Sequence, residues 1–277
     1  MRIVHISDCF APRVGGIETQ VEDLAAHQAA AGHEVHVLTA TAAAPDGGRH
    51  AERYSGVTAH RGVRVHRIAS PLMAGLPVHP RGSALIARRL RTLNPDVVHV
   101  QAGVLSPFAF QGARVARAAN LPLAITWHCM LDGVERPLRW GADLLGWDGE
   151  SAALSAVSEV AAARVAQAFP VEGAPADVGV LPNGLEVATW AAAGPLRPED
   201  GVLRLVATQR VAPRKRTSTL VRTLAAARAV LGDGAVELTI AGDGPDMAAV
   251  RREADRLGVR RSLHLRGRVP RADLPAL

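Results

Sequence analysis

Chemically capable side chains recur in this chain directly after short apolar runs. Gly15-Gly16 follows RIVHIS (2–7) and leads into a helical pattern. His128 ends AITWH, and Pro182-Asn183-Gly184 follows GVL. Arg210 and Lys215 follow LVATQ, Gly242-Asp243-Gly244 follows LTIA, and Arg266 to Val269 closes the last run. Glycine lets a backbone approach a ligand closely or take positive φ, and a helix starting just beyond it aims free N–H groups at an anion. Two fixed cations would stabilise negative charge growing on a leaving group. Each feature also has a plain structural meaning. Gly15-Gly16 fits a tight turn, RVAPRKR a solvated basic loop, a strand-end His a satisfied core residue, and GDGP an ordinary βα turn.

The 277 residues suit two domains of ordinary size or one large one, and 48% apolar content can build a sizeable core. The net charge of +6 is carried almost wholly by Arg, Lys215 being the single lysine. That balance suits an anionic partner, but nucleic-acid binding would rest on charge alone, without aromatic platforms or a recognition motif. Cys9 and Cys129 form neither a disulfide framework nor a zinc spacing, which fits a reduced, cytoplasmic compartment. MRIVHISDCF reads as a strand with no cleavable apolar region, and no apolar run approaches the ~18 residues of a membrane span.

Strand and helix patterns alternate along the chain, which is the mark of βαβ units and a parallel sheet. Residues 2–7, 34–40, 63–69, 95–101 and 121–128 read as strands, and SAALSAVS (151–158) and DVGVLPNG (177–184) finish the first half. Residues 19–31, 83–93 and 108–120 read as helices, and 42–56 as a polar loop. Asn183-Gly184 reads as a left-handed turn at a hinge, and Ser158 as the cap of a following helix. A second set begins near Gly201: strands at 203–210, 236–241 and 262–269, helices at 217–232 and 246–259. The boundary is expected within 185–201, where Ala, Gly and Pro cluster, giving domains of 1–190 and 200–277. In open α/β sheets, ligands sit beyond the carboxyl ends of strands, where these residues fall.

From Met1 to Leu277, the ordered stretches GGIETQVEDLAAHQAAAGHEVHVLT, PDVVHVQ, ITWH, SAVSE, VLPNG, RVAPRK, IAGDGP and LHLRGRV resemble the retaining GT-B glycosyltransferases of family 4. The resemblance implies two Rossmann-like, doubly wound parallel-sheet domains facing a cleft, the first on the acceptor side and the second binding a nucleotide-sugar. It implies transfer of a hexosyl group from a nucleotide-diphosphate sugar to a hydroxyl, on a lipid or a small metabolite, with retention. No cofactor is implied. No metal is implied either, because cationic side chains replace it.

By the same resemblance, Gly16 with Gly15 touches the donor's phosphate or sugar, and Arg210 and Lys215 stabilise the leaving diphosphate. The family pattern there is G-R-x-x-x-x-K-G, but Gln209 and Arg216 replace its glycines. His128 lies by the reacting sugar or helps place the acceptor. Gly242 and Gly244 shape the nucleoside pocket with Arg268 and Val269, whose backbone reads the base. Glu18, Ser158 and Asn183 fall on the acceptor side. Gln101 stands where a second His is frequent, and His99 is expected to be a structural residue buried in its strand.

The helix at 80–93 carries Arg81, Arg88, Arg89 and Arg91 opposite Leu85, Ile86, Leu90 and Leu93. It is either a core-facing helix with a solvated face or a peripheral contact with an anionic inner membrane face. The family's E-x7-E segment and its tail helix do not follow Leu277, so the second domain is expected to be incomplete. The alternative is therefore a truncated, non-catalytic GT-B-like protein that at most binds nucleotide. A dinucleotide oxidoreductase lacks its G-x-G-x-x-G.

Overall fold

A computed structural model of the chain describes residues 1–44, 50–71, 76–131, 133, 152–171, 173–191 and 200–277. The chain divides into two compact units, Met1–Leu185 and Glu186–Leu277. Most of the Ala/Gly/Pro cluster expected at the boundary, 192–199, lies outside the described residues.

In unit 1, strands β1 (Arg2–Ser7), β2 (Glu34–Thr39), β3 (Val57–His60), β4 (Val63–Arg67), β5 (Val97–Ala102), β6 (Leu123–Trp127), β7 (Ala153–Ala156) and β8 (Val178–Val180) form one sheet. Its order is β3-β4-β2-β1-β5-β6-β7-β8, with only β3 antiparallel. Helices α1 (Gly16–Ala30), α2 (His50–Ser55), α3 (Gly82–Leu93), α4 (Pro107–Ala118) and α5 (Glu159–Ala168) connect them. Two findings differ from the sequence expectation. The polar stretch 42–56 contains α2, and β3 pairs with β4 through Arg61-Gly62, both at positive φ. An Arg-Gly turn gives a weaker hairpin signal than Asn-Gly, so the edge strand did not stand out.

The two faces of this sheet differ. Val4, Ile6, Val98, Val100, Ile125, Trp127, Leu154 and Ala156 join one apolar cluster with residues of α3, α4 and α5. Side chains alternate along a strand, so His5, Ser7, His99, Gln101, Thr126 and Ser155 project to the opposite face. There α1 packs on β1, β2 and β4, with Val21 and Ala25 closing a second cluster over Val35, Val37, Val63 and Val65. A parallel strand covered on both faces usually reads as continuously apolar. The polar alternation of β5 and β6 therefore marks a face built for something other than core.

Unit 2 carries α6 (Val187–Ala191), then a three-stranded parallel sheet ordered β11-β10-β9. Its strands are β9 (Leu203–Thr208), β10 (Val236–Ala241) and β11 (Leu263–Gly267), connected by α7 (Thr217–Leu231) and α8 (Met247–Arg256). Val221, Leu224, Leu238, Ile240, Val250 and Ala254 form its core. Gly232 ends α7 at positive φ, as a glycine after a helix should. RADLPAL, beyond the last strand, forms a 3-10 turn at Arg271–Ala276.

Candidate functional site

In unit 1 the chain leaves β1 for α1 on one face and leaves the adjacent β5 for α4 on the other. This is the topological switch point at which doubly wound sheets bind ligands. The glycine loop opens α1 at this point. Gly15 is extended (φ −176°), so positive φ is not its reason for being glycine. Its missing Cβ leaves room for the Glu18 carboxylate, which would overlap any side chain there. Glu18 is 7% exposed and paired with Arg13 at 3.1 Å, so the loop's nearest anion is the chain's own. A carboxylate in the first helical turn also complements the helix dipole. Gly16 is different: it is exposed, and among the described residues nothing lies within 4 Å of where a Cβ would stand.

A cavity of about 270 Å³ opens on the polar face of the sheet. Its size approaches the lower end of small-molecule sites, about 300 Å³. One side is α1, through Gln20, Asp23, Leu24 and His27, spaced three and four residues apart. The floor is β5 and β6 with the residue after β6: His99, Gln101, Thr126 and His128. Leu181 to Leu185 close the remaining side. With its amide nitrogen turned to the carbonyl, Gln20 brackets the Gly184 peptide, donating to Gly184 O and accepting from Gly184 N, both at 3.2 Å. Neither Asn183 nor Gly184 takes the left-handed conformation expected from sequence; the side chain of Gln20 holds this segment.

A chain of hydrogen bonds runs under the cavity floor. His128 Nε2 lies 2.6 Å from Gln101 Oε1, Gln101 Nε2 lies 3.1 Å from His5 Nδ1, and His5 Nε2 lies 2.7 Å from Gln28 Oε1. Beside it, His99 Nε2 bonds Thr126 Oγ1 at 2.7 Å, and Thr126 Oγ1 bonds Ser155 Oγ at 2.7 Å. Burial pushes His5 down to about 4 from its usual 6.5, against the opposing bond to Gln28. Burial, with the neighbouring His5 and His128 rings, pushes His99 to about 3. His128 is lowered by burial, partly offset by Asn183. The rings are therefore neutral at physiological pH, and the cavity offers uncharged donors and acceptors together with the Asp23 carboxylate. Asp23 itself is held by Arg61 at 2.7 Å.

The structure thus brings together His128 and Asn183 of the residues expected from sequence, and adds Gln20, Asp23, Thr126, Gln101 and His5. His99, expected to be purely structural, lines the cavity. Ser158 is exposed and caps α5, accepting from Ala161 N at 3.3 Å; it takes no part in the lining.

In unit 2 three loops meet at the carboxyl ends of the parallel strands. Gln209 N donates to Ala241 O at 3.0 Å, Val211 N to Asp243 O at 3.0 Å, and Gly242 N to Gly267 O at 2.7 Å. Gly242 and Gly244 make this approach possible, since a Cβ on either would collide with the carbonyl of Gln209 or of Val211. Gln209, where the family has glycine, bonds the buried Thr217 hydroxyl at 3.1 Å. Arg216, the other replacement, adopts the left-handed conformation (φ 50°) at the start of α7. Arg210, Arg214, Lys215 and Arg216 are all exposed, and their side chains have no ion-pair or hydrogen-bond partner among the described residues. The first turn of α7 contains no acid. Like charges gathered at a helix N-terminus repel one another unless an anion joins them. Arg268 is exposed and Val269 half-buried, just after β11.

Two parallel-sheet α/β units, the first doubly wound with a polar cavity at its switch point and the second with a cationic loop at its strand ends, have the GT-B type of glycosyltransferase fold. The chain belongs to Glycosyltransferase Family 4, whose profile matches residues 14–189. A GDP-mannose-dependent alpha-mannosyltransferase of Mycobacterium tuberculosis (strain CDC 1551 / Oshkosh) is 30% identical over 135 residues, 48% of this chain and 33% of that protein. A GDP-mannose-dependent alpha-(1-6)-phosphatidylinositol monomannoside mannosyltransferase of the same strain is 29% identical over 289 residues, 99% of this chain and 69% of that protein. The chain thus matches about a third of the length of the first and about two thirds of the second. A glycosyltransferase from Rickettsia africae ESF-5 superposes with a TM-score of 0.68 at 14% identity, over 99% of this chain and 69% of that one. The trehalose-6-phosphate synthase OtsA gives 0.66 at 16% identity, over 99% and 75%. At such identities these two likenesses speak to the fold alone.

Among the described residues no helix is long and apolar enough to cross a membrane, and no group of His, Cys, Asp and Glu could hold a metal ion.

Proposed function

We propose that this chain carries the acceptor side and the phosphate-binding part of the donor side of a retaining hexosyltransferase. The donor is a nucleotide-diphosphate sugar, GDP-mannose by analogy with its relatives' names. Arg210 and Lys215, joined by Arg214 and Arg216, neutralise the departing diphosphate. Gly242, Gly244, Arg268 and Val269 shape the nucleoside's place. The unit 1 cavity, with His128 and Asn183, takes the acceptor hydroxyl, and Gly16 leaves backbone room for the sugar. Glu18 and Ser158 act through the loop and helix they hold. The observation that carries the proposal is the set of exposed cations from Arg210 to Arg216 at the start of α7, without a partner among the described residues.

The acceptor is lipid-linked or a small polyol. Arg81, Arg88 and Arg91 are exposed on α3 and its cap while Ile86 and Leu90 are buried, so this helix can face an anionic membrane surface without giving up its packing. Thermal stability of the full-length protein with GDP-, UDP- and ADP-sugars tests the donor. GDP-mannose at about 100 times its Kd stabilises by roughly 2.7 kcal/mol. If no nucleotide sugar raises the Tm, the donor proposal fails.

A further inference from the structure

Gln101 is 1% exposed and sits between two imidazole rings. A primary amide carries donors on one end and acceptors on the other, so it can impose opposite roles on two neighbours. Its Oε1, 2.6 Å from His128 Nε2, requires a proton on that nitrogen. Its Nε2, 3.1 Å from His5 Nδ1, requires a lone pair there. His5 must then carry its proton on Nε2, which suits the 2.7 Å contact with Gln28 Oε1. Every assignment in the chain agrees with the next, and a neutral His128 is left with one ring nitrogen to spend. That nitrogen, Nδ1, is buried and makes no hydrogen bond among the described residues. Asn183 lies near enough to favour a protonated ring, but makes no bond to Nδ1 of full geometry, whereas the Gln101 contact is short.

We propose that Gln101 is a positioning residue, whose amide holds His128 in the Nε2–H form so that the Nδ1 lone pair accepts a hydrogen bond from a hydroxyl of an uncharged polyol in the cavity. An alcohol can donate to that lone pair; a carboxylate or a fully ionised phosphate carries only acceptors and cannot. The choice of ligand rests on reading the cavity as the acceptor site. The tautomer does not, and it is measured without substrate.

The experiment is nitrogen–proton correlation of the imidazoles in the full-length protein near neutral pH, with His128 assigned through His128→Gln. Expected for His128 are a pyrrole-type Nε2 and a pyridine-type Nδ1. Gln101→Leu should leave both tautomers populated and raise the acceptor KM about 10-fold, the worth of one neutral hydrogen bond, with donor KM unchanged. Gln101→Glu, similar in volume, should keep the His128 Nε2 proton, move the His5 proton to Nδ1 and raise the His128 pKa by more than one unit. A wild-type His128 protonated on Nδ1 overturns the proposal, and so does an unchanged tautomer in Gln101→Leu. Should that variant not fold, an unmoved His128 titration in Gln101→Glu overturns it equally. An unmoved acceptor KM beside the expected tautomers would leave the role of Gln101 standing and refute the acceptor assignment of the cavity.

Discussion

At and under the cavity floor of unit 1, His5, His99 and Gln101 are held by partners inside the fold; on the loop of unit 2, Arg210, Arg214, Lys215 and Arg216 project without any among the described residues. The first set is neutral and tied into the sheet. The second is charged and owes nothing to packing. Buried polar groups contribute to stability while their partners remain, and removing one partner leaves the other desolvated. Exposed cations cost the fold little to lose. Binding and stability should therefore separate between the two regions, and variants can test how cleanly.

The largest expected effect is on turnover. Lys215→Ala in the full-length enzyme should lower kcat by about 10²–10³-fold, as loss of one transition-state charge contact does, and change stability by less than about 0.5 kcal/mol. A large drop in Tm with intact turnover would reverse the comparison.

Gly242→Ala should destabilise unit 2 by roughly 2 kcal/mol, because its Cβ meets the Gln209 carbonyl. Gly16→Ala meets nothing and should leave stability within about 0.5 kcal/mol. Activity lost in Gly16→Ala would then report a ligand at that spot. Denaturant unfolding of both variants checks the pair.

Acid should act first on unit 1. His5 and His66 are lowered to about 4 and His99 to about 3, so between 6.5 and 4 the unfolded chain binds protons that the folded chain does not. Their contribution is whole above 6.5 and is lost as the pH falls. Asp8, raised to about 6 by burial, acts in the opposite sense, since the folded state takes up its proton first. Three rings outweigh one carboxyl, so the Tm of unit 1 should fall across this window. In unit 2, Arg222 and Arg256 hold Glu253 down to about 2, and Arg204 holds Asp200 low, so their contributions persist to lower pH. Calorimetry from pH 7 to 4 that shows unit 2 melting first would break the contrast.

The smallest effect is at Arg216. Relief of its left-handed conformation in Arg216→Gly, less the extra freedom glycine gives the unfolded chain, should stabilise by roughly 0.5 kcal/mol. The same change should weaken nucleotide binding a few-fold, because one cation leaves.

Much of the fold could be read from the sequence, because apolar runs of strand length alternated with helical patterns and glycine punctuation. The cationic loop was equally plain, since its residues are contiguous. The cavity was not. Its residues come from α1, two strands, the residue after β6 and the 181–185 segment, and only sheet order brings them together. Yet a signal is present: His5 and Ser7 on β1, His99 and Gln101 on β5, and Thr126 and His128 on and just after β6 alternate with apolar residues. Glu18 shows the opposite limit. Nothing in GGIE reveals that the carboxylate folds back over Gly15 and fills the space a side chain there would take.

The most direct test is calorimetric titration of GDP-mannose into the full-length protein and into its Arg210→Ala/Lys215→Ala variant. Binding at least 100-fold weaker in the variant, with an unchanged Tm, is expected if the cationic loop of unit 2 holds the donor diphosphate. Equal affinity in both proteins would contradict it.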